Sequence, residues 1–270
     1  MPITHLDLSF YRSPELGAEA ASYVAFNPRR VPGSLVMAGS CAVRDSIGSQ
    51  VACKLALQYF VEGVMRCFEG GTPKDGLTVQ GNRDTDADNA DEASLKVLEE
   101  AFKNANNSVY NFGHQLAAGG RMAASLLGLV IEGDMIAVGR VGEGSAYLGR
   151  FGELFPFFEA REVQSPAQLL DAFVGSHSMV SVELASVAPS EADILFVCSR
   201  VLDQFKEREL ASLLHKLEWE DERKTFGLGG SQAVRRSNLC AHLIRQLFPA
   251  GEEIAYAMVV LLGPDTIFLK

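Results

Sequence analysis

The sequence predicts an α+β fold in layers, on three observations. Apolar stripes with helical spacing mark two helices before residue 110 and another near residue 240. A run of short apolar segments separated by turns fills Ala123 to Phe158. Strands and helices also come in runs instead of strict alternation, which favours sheets packed on helices over a doubly wound parallel sheet.

Taken in order, Ile3 to Phe10 is a short apolar strand candidate, followed by chain rich in Pro, Gly and Arg. Cys53, Leu57, Phe60, Val61, Val64 and Met65 recur at three- and four-residue steps, one face of a helix that stops at Glu69-Gly70-Gly71. Gly71 to Glu92 is polar and aspartate-rich, which predicts an exposed loop. Leu95, Leu98, Phe102, Ala105 and Val109 form the stripe of a second helix, with Asp91 and Glu92 suited to its N-terminus. Beyond Gly119-Gly120 the pattern becomes a meander: Ala123 to Ile131, Met135 to Val141, Ser145 to Gly149 and Leu154 to Phe158. A helix over Pro166 to Val174, a strand over Asp193 to Cys198 and an amphipathic helix carrying Leu239, Cys240, Leu243, Ile244, Leu247 and Phe248 follow. A strand over Ala255 to Leu262 and a short apolar end, Ile267 to Leu269, complete the chain.

No internal repeat and no Pro-, Gly- or Ser-rich linker divides the sequence, so residues 1–270 are expected to form a single domain. The 24 basic and 34 acidic side chains give a net charge of −10. That balance argues against nucleic acid or an anionic membrane as partner, since both reward cationic patches. No apolar run reaches the ~20 residues of a membrane span, and the N-terminus lacks the order of a secretory signal. Cys41, Cys53, Cys67, Cys198 and Cys240 are widely spaced, without a C-x-x-C pair. They are expected to be reduced, mostly core residues of a cytoplasmic protein, with no structural zinc.

Three motifs fail on inspection. Asp84-x-Asp86-x-Asp88 begins like a calcium loop, but Asn89 and Leu95 stand where Gly and a bidentate Glu are required, leaving a solvated acidic segment. Phe226-Gly227-Leu228-Gly229-Gly230 follows no strand and reads as a hinge instead of a phosphate cradle. Cys198 has Gln204 six residues on, where a cysteine phosphatase needs Arg, and the five histidines have no metal-ligand spacing.

One ordered series of segments is similar to a known family. Cys41-Ala42-Val43-Arg44-Asp45-Ser46-Ile47-Gly48-Ser49 resembles the Asp-Gly-Met-Gly-Gly segment of PP2C-type (PPM) metal-dependent Ser/Thr phosphatases. Ala105-Asn106 resembles the Ala-Asn of that family's second long helix, and Met122 to Leu126 its Met-Gly-Thr-Thr-Leu. Val141 to Leu148 resembles Val-Gly-Asp-Ser-Arg-Ala-Tyr-Leu, and Arg150 to Leu154 continues it as Arg-Asp-Gly-Glu-Leu. Asp193 to Leu202 is similar to the segment ending Cys-Ser-Asp-Gly-Leu, and Ile254 to Leu261 takes the place of Asp-Asn-Ile-Thr and its valine strand. The series runs from about Gly39 to Leu262. It implies an α-β-β-α sandwich, two antiparallel sheets flanked by helical layers.

The family's chemistry uses two divalent cations to activate a bridging water for in-line attack on a phosphoryl group, and hard Mg²⁺ or Mn²⁺ needs several oxygen ligands. By the resemblance Asp45 stands at the bridging position, Ser46 replaces the following glycine while keeping its carbonyl, and Glu143 replaces an Asp ligand of a third metal. Arg200 occupies the place of the Asp in Ser-Asp-Gly, and the Asp-Asn pair falls at about Ile254-Ala255, without a carboxylate. The early Asn-Glu-Asp segment has no counterpart beyond Phe26-Asn27-Pro28-Arg29-Arg30.

A permanently charged guanidinium and missing carboxylates leave too little negative charge for two ions. Arg200 is instead expected to form a partly buried pair with Asp45 or Glu143. The resulting expectation is a pseudophosphatase with no cofactor, acting as a protein-binding or regulatory module toward a phosphoprotein or kinase. Two alternatives stay open. One is an active, diverged phosphatase using Mg²⁺ or Mn²⁺ at Asp45, with Glu143 and carboxylates from Glu191 to Asp193 or Glu252-Glu253. The other is a phosphate sensor employing Arg29, Arg30 or Arg44.

Overall fold

A computed structural model describes residues 5–14, 16, 20–30, 33–69, 86–116, 122–132, 134–159, 173–190, 192–224, 239–248 and 254–263. In chain order these form β1 (His5–Arg12), β2 (Ala21–Phe26), β3 (Leu35–Ala42), α1 (Ile47–Glu69) and α2 (Asp86–Gln115). Then come β4 (Ala124–Glu132), β5 (Met135–Val141), β6 (Ser145–Arg150), β7 (Glu153–Pro156), β8 (Glu183–Val187) and β9 (Ile194–Cys198). Helices α3 (Gln204–Lys224) and α4 (Leu239–Leu247) precede the last strand, β10 (Tyr256–Gly263).

The strands make two five-stranded sheets of order β1-β10-β9-β6-β7 and β2-β3-β4-β5-β8, every pairing antiparallel. Three apolar layers hold the architecture together. Val36, Ala38, Leu126 and Val130 face α1 and α2, which meet them with Phe60, Val64, Leu98 and Phe102. From the same strands, Leu35, Met37, Leu127 and Leu129 point the other way, into the seam between the sheets, against Leu195, Val197, Met258 and Val260. Phe196, Cys198, Ala257 and Val259 complete the alternation by facing α3 and α4. Side chains of a strand alternate between faces, and here both faces are buried. This is why β4, β9 and β10 are continuous apolar runs in the sequence. The expected α-β-β-α sandwich is the architecture found.

Several boundaries differ from expectation. The loop predicted for Gly71 to Glu92 ends early, because α2 already begins at Asp86. Its first turns are polar, so no apolar stripe announced them. Strands β2, β3 and β8 and helix α3 had no sequence prediction. β2 and β8 are edge strands whose residues are mostly partly exposed, the apolar run of β3 is interrupted by Gly39 and Ser40, and α3 is polar through much of its length. The predicted helix over Pro166 to Val174 lies outside the described residues, apart from Phe173 and Val174; Val174 forms an isolated bridge to Ala124. The apolar end at Ile267 to Leu269 and the glycine hinge at Phe226 to Gly230 also lie outside them. Among the described residues, no helix is long and apolar enough to cross a membrane.

One close contact crosses the seam between the sheets. The Tyr256 ring lies across Gly39, and its hydroxyl donates to the Gly39 carbonyl at 2.9 Å. A Cβ at residue 39 would sit 2.2 Å from the ring. Burial pushes the Tyr256 phenol well above its usual pKa, so it remains a donor. Gly39→Ala is expected to lower stability by about 1–3 kcal/mol through overpacking, and Tyr256→Phe by about 1 kcal/mol for the lost hydrogen bond. Urea denaturation followed by circular dichroism measures both.

Candidate functional site: an open cleft at one end of the sheet pair

The ends of β3 and β9, the start of β10 and the β5–β6 turn converge on a cleft of about 940 Å³. Arg44, Asp45, Glu143 and Arg200 all line it, together with Cys41, Gln50, Ser199, Val201 and Ala255. Residues 43, 143 and 200 are far apart in sequence, and the pairing of strands brings them to one place.

Ser46 has a structural task. Its hydroxyl accepts the N–H of Ser49 at 3.2 Å, and its carbonyl accepts the N–H of Gln50 at 3.0 Å. That is the geometry of an N-cap for α1. Ser46 lies outside the cleft lining, whereas Asp45, one residue earlier, projects at the exposed mouth with the Gln50 amide 3.5 Å from its Oδ1.

Glu143 rides on a glycine-flanked turn. Gly142 and Gly144 have φ of 87° and 132°, a region L-residues avoid. The turn is fastened from below, where the Glu143 N–H donates to Ser125 Oγ at 3.1 Å and buried Arg140 donates to the Gly144 carbonyl at 2.9 Å. Arg140 is held in turn by an ion pair to Glu183 and by the Phe158 ring 4.5 Å away. The opposite wall is tied across the sheet: Ser199 Oγ accepts the N–H groups of Ala255 and Tyr256 at 3.0 and 3.3 Å.

The charges of the lining balance, two guanidiniums against two carboxylates. All four residues are exposed, whereas the pair expected of Arg200 with Asp45 or Glu143 was to be partly buried; at this open mouth water solvates the charges and weakens any such pair. Asp193, considered above as a spare ligand, is buried and bonded to Arg150 at 2.6 Å and to the Ser190 N–H at 2.7 Å. Glu191, Glu252 and Glu253 lie outside the described residues. Ala255 brings a methyl to the wall where the resemblance placed an Asp-Asn pair. Arg29 pairs with Glu132 at 2.6 Å, and Arg30 sits beside it with φ of 56°, both on the β2–β3 turn at the other end of β3 from the cleft. Of the three arginines considered for phosphate, Arg44 alone lines the cleft.

A dinuclear site needs an excess of carboxylate oxygen, and among the described residues lining the cleft two carboxylates stand beside two guanidiniums. Among the described residues no group of three or more His, Cys, Asp or Glu side chains is arranged to hold an ion.

No protein-family model matches the sequence, nor does that of any curated protein. Solved structures do match in fold. PppA, described as a key regulatory component of the T6SS in Pseudomonas aeruginosa, aligns at TM-score 0.59 and 16% identity over 97% of this chain and 100% of its own. The catalytic domain of the Ser/Thr phosphatase PstP, in complex with two manganese ions, aligns at 0.58 and 15% over 96% and 99%. The Mycobacterium tuberculosis phosphatase PstP/Ppp aligns at 0.60 and 14% over 98% and 100%. The fold is therefore that of the PP2C-type Ser/Thr phosphatases, from near one end of the chain to the other. At such identities the likeness establishes architecture, and function has to be argued from the cleft.

Sequence reasoning missed Cys41, Gln50 and Val201 as lining residues. Cys41 and Val201 are apolar in character, so a core position was their natural reading. Enclosure pushes the thiols of Cys41 and Cys198 up to about 12, and Cys67 is the exposed exception to the expected core set. The Cys41 thiol therefore stays protonated at pH 8, and iodoacetamide is expected to label the exposed Cys67 first despite the position of Cys41 on the cleft. Mass spectrometry of the alkylated protein reads this directly. Because these folded-state values exceed the ordinary thiol value near 8.5, their contribution to stability is complete below that pH. It is lost as pH rises from about 9 toward 12, so the urea midpoint is expected to fall over that range.

Proposed function

We propose that the chain is a PP2C-like pseudophosphatase: one domain over residues 1–270 that has no dinuclear metal centre and acts as a protein-binding or regulatory module in Ser/Thr phosphorylation signalling, in the cytoplasm. The observation that carries this reading is the composition of the cleft. Asp45 and Glu143 share it with Arg44 and Arg200, and Ala255 lines the wall. A guanidinium stays protonated at any working pH and repels a divalent ion brought to the same carboxylates. Catalysis in the family resembled depends on ions that activate water, so losing them removes turnover while leaving the surface that meets a partner.

The likeness in fold to PppA, whose description is that of a regulatory component, supports a role in which protein contacts matter. A protein partner, phosphoprotein or kinase, is the kind this reading implies. The competing reading, an active but diverged phosphatase, draws on the convergence of Asp45 and Glu143 in one cleft.

Titration calorimetry with Mn²⁺ and Mg²⁺, beside a phosphopeptide hydrolysis assay, separates the two. The expected result is no binding of two ions and no metal-dependent release of phosphate; tight binding of two ions with turnover would overturn the proposal. Arg200→Asp reverses one charge at the site and is expected to strengthen Mn²⁺ binding by at least about tenfold, within the several kcal/mol that a charge reversal at such range supplies.

A further inference from the structure

Each sheet has two edges, and the strands that form them differ in charge. β1 carries Asp7 and Arg12, β7 carries Glu153 and ends at Pro156, and β8 carries Glu183. Charged side chains and proline keep an open edge from accepting a further strand. β2 has neither: Ala21-Ser22-Tyr23-Val24-Ala25-Phe26 includes no charge, no proline and no glycine. Among the described residues no strand pairs with it on the side away from β3.

The ladder to β3 fixes which backbone groups β2 turns outward. Ala42 N–H donates to the Ala20 carbonyl at 2.8 Å, one step before the Ala21–Cys41 pair of the register. Bonded pairs recur at every second residue of an antiparallel ladder. Ser22, Val24 and Phe26 therefore bond inward to β3, while Ala21, Tyr23 and Ala25 point their N–H and C=O groups outward. Arg12 Nη2 donates to the Ala21 carbonyl at 3.1 Å, which leaves Tyr23 and Ala25 as the positions an added strand can bond.

We propose that β2 pairs with β2 of a second copy of this chain, antiparallel about a twofold axis, so that two five-stranded sheets become one. A twofold axis perpendicular to the sheet keeps each face on its own side, so opposed residues share a face and the axis passes through a residue position. Centred on Val24, Tyr23 lies opposite the second copy's Ala25, and Ala25 opposite its Tyr23. These are the two positions with outward groups, and each pair sets a large ring beside a methyl. Centred on Tyr23, the outer pairs would need Ala21, whose carbonyl Arg12 already holds. The neutrality of the strand names the occupant. A twofold contact sets a patch against itself, and like charges directly opposite one another destabilise a strand pair. Two copies of net charge −10 repel, and β2 is the edge that brings no charged side chain to their contact.

Sedimentation equilibrium of the full chain tests this, with amide hydrogen exchange read by NMR. The expected result is a dimer that dissociates on dilution below about 10 µM, as suits a small interface, and that tightens as salt screens the repulsion. Ala25→Pro removes an outward N–H and no bond to β3. It is expected to leave the circular dichroism unchanged and to weaken the dimer by at least about tenfold. Phe155→Ser, on the edge strand β7, is expected to leave association as it is. The Tyr23 and Ala25 amides are expected to exchange slowly in the dimer and about tenfold faster after dilution, with Ser22 and Val24 slow in both states. This exchange pattern needs no variant, so it tests the proposal even where the proline variant fails to fold. A monomer at about 200 µM, well above the expected midpoint, overturns the proposal and leaves the edge to a strand of a different protein. A dimer in which those two amides do not respond to dilution, or one weakened by Phe155→Ser and not by Ala25→Pro, overturns it as well. None of these outcomes bears on the metal content of the cleft, so the pseudophosphatase reading stands or falls by its own assay.

Discussion

The approach of Tyr256 to Gly39 is the constraint on which the rest of the structure depends. A phenol ring enters the seam between two sheets at the one residue type that leaves room for it, and its hydroxyl is satisfied by the backbone it covers. Ala255, on the cleft wall, precedes that tyrosine, and Cys41, also on the wall, follows that glycine by two residues. The width of the cleft is thus tied to a packing contact within the inter-sheet core. Interiors are close-packed and not freely deformable, so the walls inherit the rigidity of the seam.

Around this seam the polar groups of the cleft region are tied inward. Ser40 donates to the Ser125 carbonyl, Ser125 accepts from Glu143, and Ser199 accepts from the start of β10. Buried polar groups are costly unless bonded, and these bonds join β3, β4, β9 and β10 where the charged residues emerge. A scaffold of this kind presents side chains at fixed positions whether the task is catalysis or recognition. What differs is the chemistry of the side chains presented. Here the side chains presented are two guanidiniums beside two carboxylates.

The fold was legible in the sequence wherever burial leaves a regular trace. Phe60 and Val64 on α1, Leu98 and Phe102 on α2 and the runs of β4, β9 and β10 all announced themselves by period or by unbroken apolarity. Strands β2 and β8 did not, because edge strands meet solvent and carry mixed residues. Helix α3 did not, because it buries few of its described side chains, Leu210 and Leu214 among them. The site was half legible. Asp45, Glu143 and Arg200 could be named from the segments around them, but Ser46 turned out to cap a helix, Asp193 to be locked by Arg150, and the exposure of the Arg200 site was not readable at all. Exposure is a property of neighbours in space, and the neighbours of Arg200 include residues from β3, the β5–β6 turn and β10.

By itself the sequence determined the layers, because alternating and helical apolar patterns dictate which faces must leave water. It also determined the chemical inventory: a guanidinium and a methyl where the resemblance led one to expect carboxylates. Only the tertiary structure decided that Arg44, Asp45, Glu143 and Arg200 share one open cleft, and that Arg29 and Arg30 do not. The physical reason is that a local pattern records whether a residue is buried, whereas the company it keeps depends on which strands pair and how closely two sheets approach. Here that approach brings together a tyrosine and a glycine 217 residues apart.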